Sequence, residues 1–140
     1  MNNIAIRNEV RRRVVAAATI NAASELKVAG RDFNSSGKNF WAEEHLIGGA
    51  ERAMTNLRSK ISSYLIQYDL CCPIGRSMDA LEQKAAAIES ALLGAIFNAG
   101  GADCTVKRIK TSRKEEKLRN TVSVLLTIEL NAATGLTNRE

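Results

Sequence analysis

Between Tyr64 and Cys72 every second residue is apolar: Tyr64, Ile66, Tyr68, Leu70 and Cys72. Alternate side chains of an extended chain share one face, so this run predicts a strand with one buried side. Pro73-Ile74-Gly75 breaks it, and the period then changes. Met78, Leu81, Ala85, Ile88, Leu92, Ile96 and Ala99 recur at steps of three and four, one stripe of an amphipathic helix, from which Asp79, Gln83, Ala86 and Ser90 fall away. Ser77 can accept a hydrogen bond from a first-turn amide, and Asp79 and Glu82 suit the positive end of the helix dipole. Asn98 and Gly100-Gly101 tolerate left-handed backbone angles and are expected to end this helix near Ala99.

Upstream, Asn3 is expected to cap a first helix reaching about Ser24, with Ile6, Val10, Val14 and Ala17 as its buried stripe. Leu26 to Lys38 carries Gly30, Asp32, Asn34, Ser35, Ser36 and Gly37 and reads as a loop or short edge segment. Phe40 to Ile47 predicts a strand in which Trp41 closes one end of the core with its indole N–H bonded. Gly48-Gly49 is expected to end it. Ala50, Ala53, Met54 and Leu57 have helical spacing, but strands flank them, so residues 50–59 are read as a projecting hairpin arm presenting Arg52, Met54, Leu57 and Arg58. The strand from Ile61 then runs back antiparallel to Phe40–Ile47.

Downstream, Cys104, Val106 and Arg108 alternate with Thr105, Lys107 and Ile109, a third strand. Thr111 to Asn120 has almost no apolar residue except Leu118 and reads as an exposed loop. Val122, Val124, Leu126, Ile128 and Leu130 then mark the fourth strand. The expected fold is α+β, in the order α-β-β-α-β-β, with a mostly antiparallel sheet of about four strands and two helices packed on one face. Residues 1–132 are expected to form a single domain and 133–140 a polar tail. The expected core is Trp41, Tyr64, Ile66, Tyr68, Leu81, Ile88, Leu92, Ile96, Val124, Leu126 and Ile128.

Composition changes this picture in one respect. The 45% apolar share is ordinary for a globular chain of 140 residues, but only one Trp, two Tyr and three Phe are present. The core should be thin, with stability drawn partly from neighbouring subunits. No stretch reaches the ~20 apolar residues of a membrane span. Arg7, Arg11, Arg12 and Arg13 lie among polar residues, unlike a secretory signal, so cytoplasmic synthesis is expected. Cys71, Cys72 and Cys104 are an odd set with no C-x-x-C spacing and read as small core residues.

Charge is concentrated. Seven basic residues (Lys107, Arg108, Lys110, Arg113, Lys114, Lys117, Arg119) and two acidic ones (Glu115, Glu116) give this segment the same net +5 as the whole chain. Such a loop is either a solvated surface or a contact with something acidic. Catalytic patterns are absent. His45, the single histidine, stands beside Glu43 and Glu44, but the spacing offers no set of metal partners, so it reads as an ordinary rim histidine. Neither a nucleophile elbow nor a P-loop is present. Gly75-Arg76-Ser77 precedes a helix N-terminus, where a plain turn and cap explain it. No cofactor, metal or enzymatic activity is expected.

Phe40-Trp41-Ala42-Glu43-Glu44-His45-Leu46-Ile47-Gly48-Gly49, followed by Tyr64-Leu65-Ile66-Gln67-Tyr68-Asp69-Leu70-Cys71-Cys72-Pro73-Ile74-Gly75 and an alanine-rich helix, resembles the tail terminator (tail-completion) proteins of long-tailed bacteriophages. The likeness covers roughly Ile4 to Ala132. It departs at Gly48, where that family commonly has proline, and at Ser77, where it often has a second glycine. The resemblance implies a virion structural protein made in the host cytoplasm. Its copies would form a ring, expected to be a hexamer, on the head-proximal end of the tail tube. That ring ends tube polymerisation and meets a neck or head-completion protein, while genome DNA passes its bore without sequence-specific binding. Basic residues facing the bore would slow DNA, so Arg113, Lys114, Lys117 and Arg119 are assigned to protein contact. A related neck or head-completion ring protein is one rival. A small basic nucleic-acid-binding module is another, suggested by the pI of 9.4 and opposed by the lack of interleaved aromatics.

Overall fold

The computed structural model describes residues 3–53 and 60–131. Helix α1 (Asn3–Ala18) is followed by strands β1 (Leu26–Lys27), β2 (Trp41–Ala53) and β3 (Lys60–Pro73), helix α2 (Asp79–Leu92), and strands β4 (Ile96–Ala99), β5 (Ala102–Glu115) and β6 (Arg119–Asn131). The strands form one sheet in the order β1-β2-β3-β6-β5-β4. All neighbours are antiparallel except β1 and β2.

This corrects the expected sheet of about four strands in the order α-β-β-α-β-β. The sheet is six-stranded, mixed and curled, and the order is α-β-β-β-α-β-β-β. The added strands, β1 and β4, are edge strands of two and four residues, too short for a period-2 pattern to register.

Strand β4 also shortens the expected second helix. The Leu93 amide still bonds to the Glu89 carbonyl, but Leu93 is extended (φ −62°, ψ 124°), and Gly94 takes φ +80°, which a side chain would resist. Gly94 therefore turns the chain well before Gly100-Gly101. The Gly94 amide then bonds to the Val106 carbonyl and the Val106 amide to the Ala95 carbonyl, opening a ladder with β5. Ile96, expected in the core, is 73% exposed, whereas its neighbour Phe97 is buried. A residue four positions beyond Leu92 fits a helical stripe as well as a strand edge, which is why the pattern misleads here.

Helix α1 likewise stops at Ala18, short of Ser24, because Thr19 adopts φ 54°. Its buried stripe is Ile6, Val10, Val14 and Ala18, with Ala17 only partly covered. These residues join Leu81, Ala85, Ile88 and Leu92 of α2, and Tyr64, Ile66, Tyr68, Leu70 and Cys72 of β3. Val122, Val124, Leu126, Ile128 and Leu130 of β6 belong to the same hydrophobic cluster, as do Leu26, Ala42, Phe97, Cys104 and Val106 from the other strands. Trp41 is buried too, but outside that cluster.

Two bulges decide which side chains reach the core. Between Val106 and Arg108 the β5–β6 register shifts, leaving Lys107 as the extra residue and inverting the alternation beyond it. Val106 is buried before the bulge, and Ile109 rather than Arg108 packs against the core after it. A second shift lies between Leu46 and Gly48 of β2. Gly48-Gly49 therefore bends the strand without ending it, and pairing continues to Ala53 opposite Lys60.

Both hairpins extend beyond their expected ends. The segment 111–120, read as a loop, is strand up to Glu115 and again from Arg119, closed by a bond from the Glu116 amide to the Arg119 carbonyl. In the β2–β3 arm, Arg52 pairs with Ile61 in the ladder, while Met54, Leu57 and Arg58 lie outside the described residues. At the sheet's far side β4 pairs only with residues 102–105 of β5, so the outer edge of the remainder of β5 faces no described strand.

Candidate functional site on the open sheet face

Strand alternation sends consecutive residues of β2 to opposite sides of the sheet. Glu44 turns toward the helices, where Arg11 grips it with two hydrogen bonds of 2.7 and 2.9 Å and the Tyr68 hydroxyl donates a third of 2.6 Å. Burial, and then the neighbouring Glu44 charge, raise the Tyr68 phenol well above its ordinary value, so it stays a donor.

Glu43 turns the other way, onto the face away from the two described helices. Its Oε2 accepts from Trp41 Nε1 (3.1 Å) and from Arg119 Nη1 (2.6 Å). Burial alone pushes the Glu43 carboxyl up, but those two bonds outweigh it and hold the group below its usual range. Directly opposite Glu43 in the β2–β3 register stands Asp69, whose Oδ1 accepts from Ser123 Oγ of β6 (2.7 Å) and from Gln67 Nε2 (2.8 Å). His45, two residues along β2 from Glu43, reaches both carboxylates: Nε2 lies 3.3 Å from Asp69 Oδ2 and 3.6 Å from Glu43 Oε1. Beneath this network Cys71 is buried, and burial pushes its thiol up to about 12. A polar layer thus crosses β2, β3 and β6, and Arg119 ties it to the β5–β6 turn.

The basic hairpin does not act as one patch. Arg119 is committed inward, to Glu43 and to Glu116 (3.3 Å). Arg113 faces the helix side, where Nη1 pairs with Glu82 of α2 at 2.8 Å and Nη2 contacts Met78 Sδ. Lys114 and Lys117 remain exposed, as does Leu118 at the turn, which is 87% accessible. Beside that turn Ser35, Trp41, Glu116, Lys117, Leu118 and Arg119 line an open depression of about 530 Å³. Sequence reading missed Gln67, Asp69 and Ser123 as site residues and took His45 for an ordinary rim histidine. The alternation of β3 and β6 already put Gln67, Asp69 and Ser123 on the odd-numbered face, but the register that brings Asp69 to Glu43 and His45 is a long-range property.

No family model and no curated protein matches this sequence. Solved structures do share its fold. A chain known only by a sequence designation superposes with a TM-score of 0.68 at 18% identity, over 93% of this chain and 96% of that one. A chain from the virion of a native gene transfer agent (GTA) particle superposes with a TM-score of 0.64 at 12% identity, over 91% of this chain and 96% of its own length. At these identities the likeness shows a shared fold, one that a virion component also carries.

Proposed function

We propose that the chain is a structural protein of a phage-like virion and, within that class, a tail terminator. Its copies would close as a ring, with a hexamer expected, on the head-proximal end of the tail tube. The ring would end tube polymerisation, offer a surface to a neck or head-completion protein, and let genome DNA pass without reading its sequence. The observation that carries the broader part of this reading is the nearly full-length fold likeness to the gene transfer agent virion chain. The narrower part rests on the resemblance at Phe40–Gly49 and Tyr64–Gly75. In this role the protein performs no reaction.

Two long hairpins suit an assembly subunit, because each carries strand pairing beyond the helix-covered core. In the basic hairpin, Lys114 and Lys117 are the residues assigned to contact with tube or neck, since Arg119 and Arg113 are paired within the chain.

The test is solution mass together with negative-stain imaging, alone and with tail tubes. Rings that cap tube ends support the terminator reading; rings that bind neck proteins but ignore tubes favour the head-completion alternative. A chain that stays monomeric with tubes present overturns both. Charge reversal at Lys114 and Lys117 should leave the circular dichroism spectrum intact and impair joining; unaltered joining returns these lysines to a purely solvating role. Steeply salt-dependent duplex binding would instead support the nucleic-acid-binding rival.

A further inference from the structure

The open-face carboxylates and imidazole are arranged as a ligand set. His45 Nε2, one Glu43 oxygen and one Asp69 oxygen all lie within 4.8 Å of one another. In each carboxylate the oxygen nearest the histidine is not the one held by neighbouring donors. Trp41 and Arg119 hold Glu43 Oε2, leaving Oε1 toward His45, and Gln67 and Ser123 hold Asp69 Oδ1, leaving Oδ2 toward His45. Both groups are therefore clamped from behind by residues outside the set, the way outer-shell partners orient metal ligands.

We propose that Glu43, His45 and Asp69 bind one divalent transition-metal ion of the Zn²⁺ class, with solvent completing its coordination. One imidazole nitrogen and two carboxylate oxygens suit Zn²⁺, Co²⁺ or Ni²⁺ better than Ca²⁺ or Mg²⁺, which prefer oxygen-only shells. Tetrahedral bonds near 2.05 Å place ligand atoms about 3.3 Å apart. The observed separations of 3.3 and 3.6 Å lie close to that spacing, and the third, between the two carboxylate oxygens, is within 4.8 Å. The backbone is fixed, because Glu43 and Asp69 are direct cross-strand partners and His45 shares Glu43's strand.

Access and charge are also compatible. The His45 side chain is 42% exposed, while those of Glu43 and Asp69 are only 11% and 12% exposed, so an ion can enter from solvent and meet partly desolvated anions. Arg119 and Lys27 oppose the ion's charge from around Glu43 and temper affinity without occupying its facing oxygen. The bound ion would staple β2 to β3 on the face away from the two described helices.

The experiment is a Zn²⁺ titration of untagged protein by calorimetry, with Co²⁺ absorption spectroscopy reporting the ligand geometry. One saturable equivalent per chain is expected, with visible Co²⁺ bands and a raised Tm. His45→Gln and Asp69→Asn should each weaken binding by at least about tenfold, and Ser123→Ala, which removes only an orienting donor, by about tenfold. Absence of saturable binding, or wild-type affinity in His45→Gln, overturns the proposal. Because His45 is half-exposed, its variant decides the matter even where Asp69→Asn fails to fold.

Discussion

Glu43 and Glu44 are neighbours in the chain with opposite surroundings built from the same parts. Each carboxylate has one arginine and one aromatic donor: Arg11 and Tyr68 for Glu44 on the helix side, Arg119 and Trp41 for Glu43 on the open side. They differ in what lies around those parts. Glu44 is set against the hydrophobic cluster, and its three bonds come from a helix and an adjacent strand, so it fixes how α1 sits on the sheet. Glu43 is also buried, but its partners are a hairpin turn and a strand neighbour, with His45 and Asp69 beside it at the solvent boundary. The inner group is a packing joint; the outer one is part of a surface.

The sharpest break in that comparison is removal of each arginine. Arg11→Ala strands a nearly inaccessible carboxylate and should cost about 3 to 5 kcal/mol in urea unfolding. Arg119→Ala should cost less, about 1 to 3 kcal/mol, because each carboxylate keeps its aromatic donor but the Glu43 side chain is 11% exposed against 5% for Glu44. Equal losses would mean that the two faces are energetically alike. Next comes Tyr68→Phe, which deletes one donor to Glu44 and should cost about 1 to 2 kcal/mol without moving the sheet. Lys117→Glu, at the exposed turn, should change stability by less than about 0.5 kcal/mol. Finally, Cys71, Cys72 and Cys104 are all buried with thiols raised by burial, so none should react with a thiol reagent at neutral pH unless the protein is unfolded.

How far the fold can be read in the sequence depends on how local each cause is. The alternation at Tyr64–Cys72 and Val122–Leu130 and the stripe from Leu81 to Leu92 are legible because strand and helix periods repeat there several times without interruption. At Ile96 the two periods coincide, and Gly94 rather than the later Gly100-Gly101 decides between them. At Lys107 one extra residue inverts the alternation, and nothing in the local pattern distinguishes a bulge from a regular strand. The open-face network is the least legible part. Glu43, His45 and Asp69 are each visible as polar residues in strands, but only the register across two strands shows that they converge. Among the basic residues, composition could not separate Arg113 and Arg119, which pair with acids on other elements, from Lys114 and Lys117, which form no such pair among the described residues.

Because β4 stops after shielding the first few residues of β5, a long row of outward amides and carbonyls lies beside Lys107, Arg108, Lys110, Arg113 and Lys114. Two identical margins of this kind would bring like charges close to one another. The crowding of lysine and arginine along this margin thus disfavours edge-to-edge pairing of two copies.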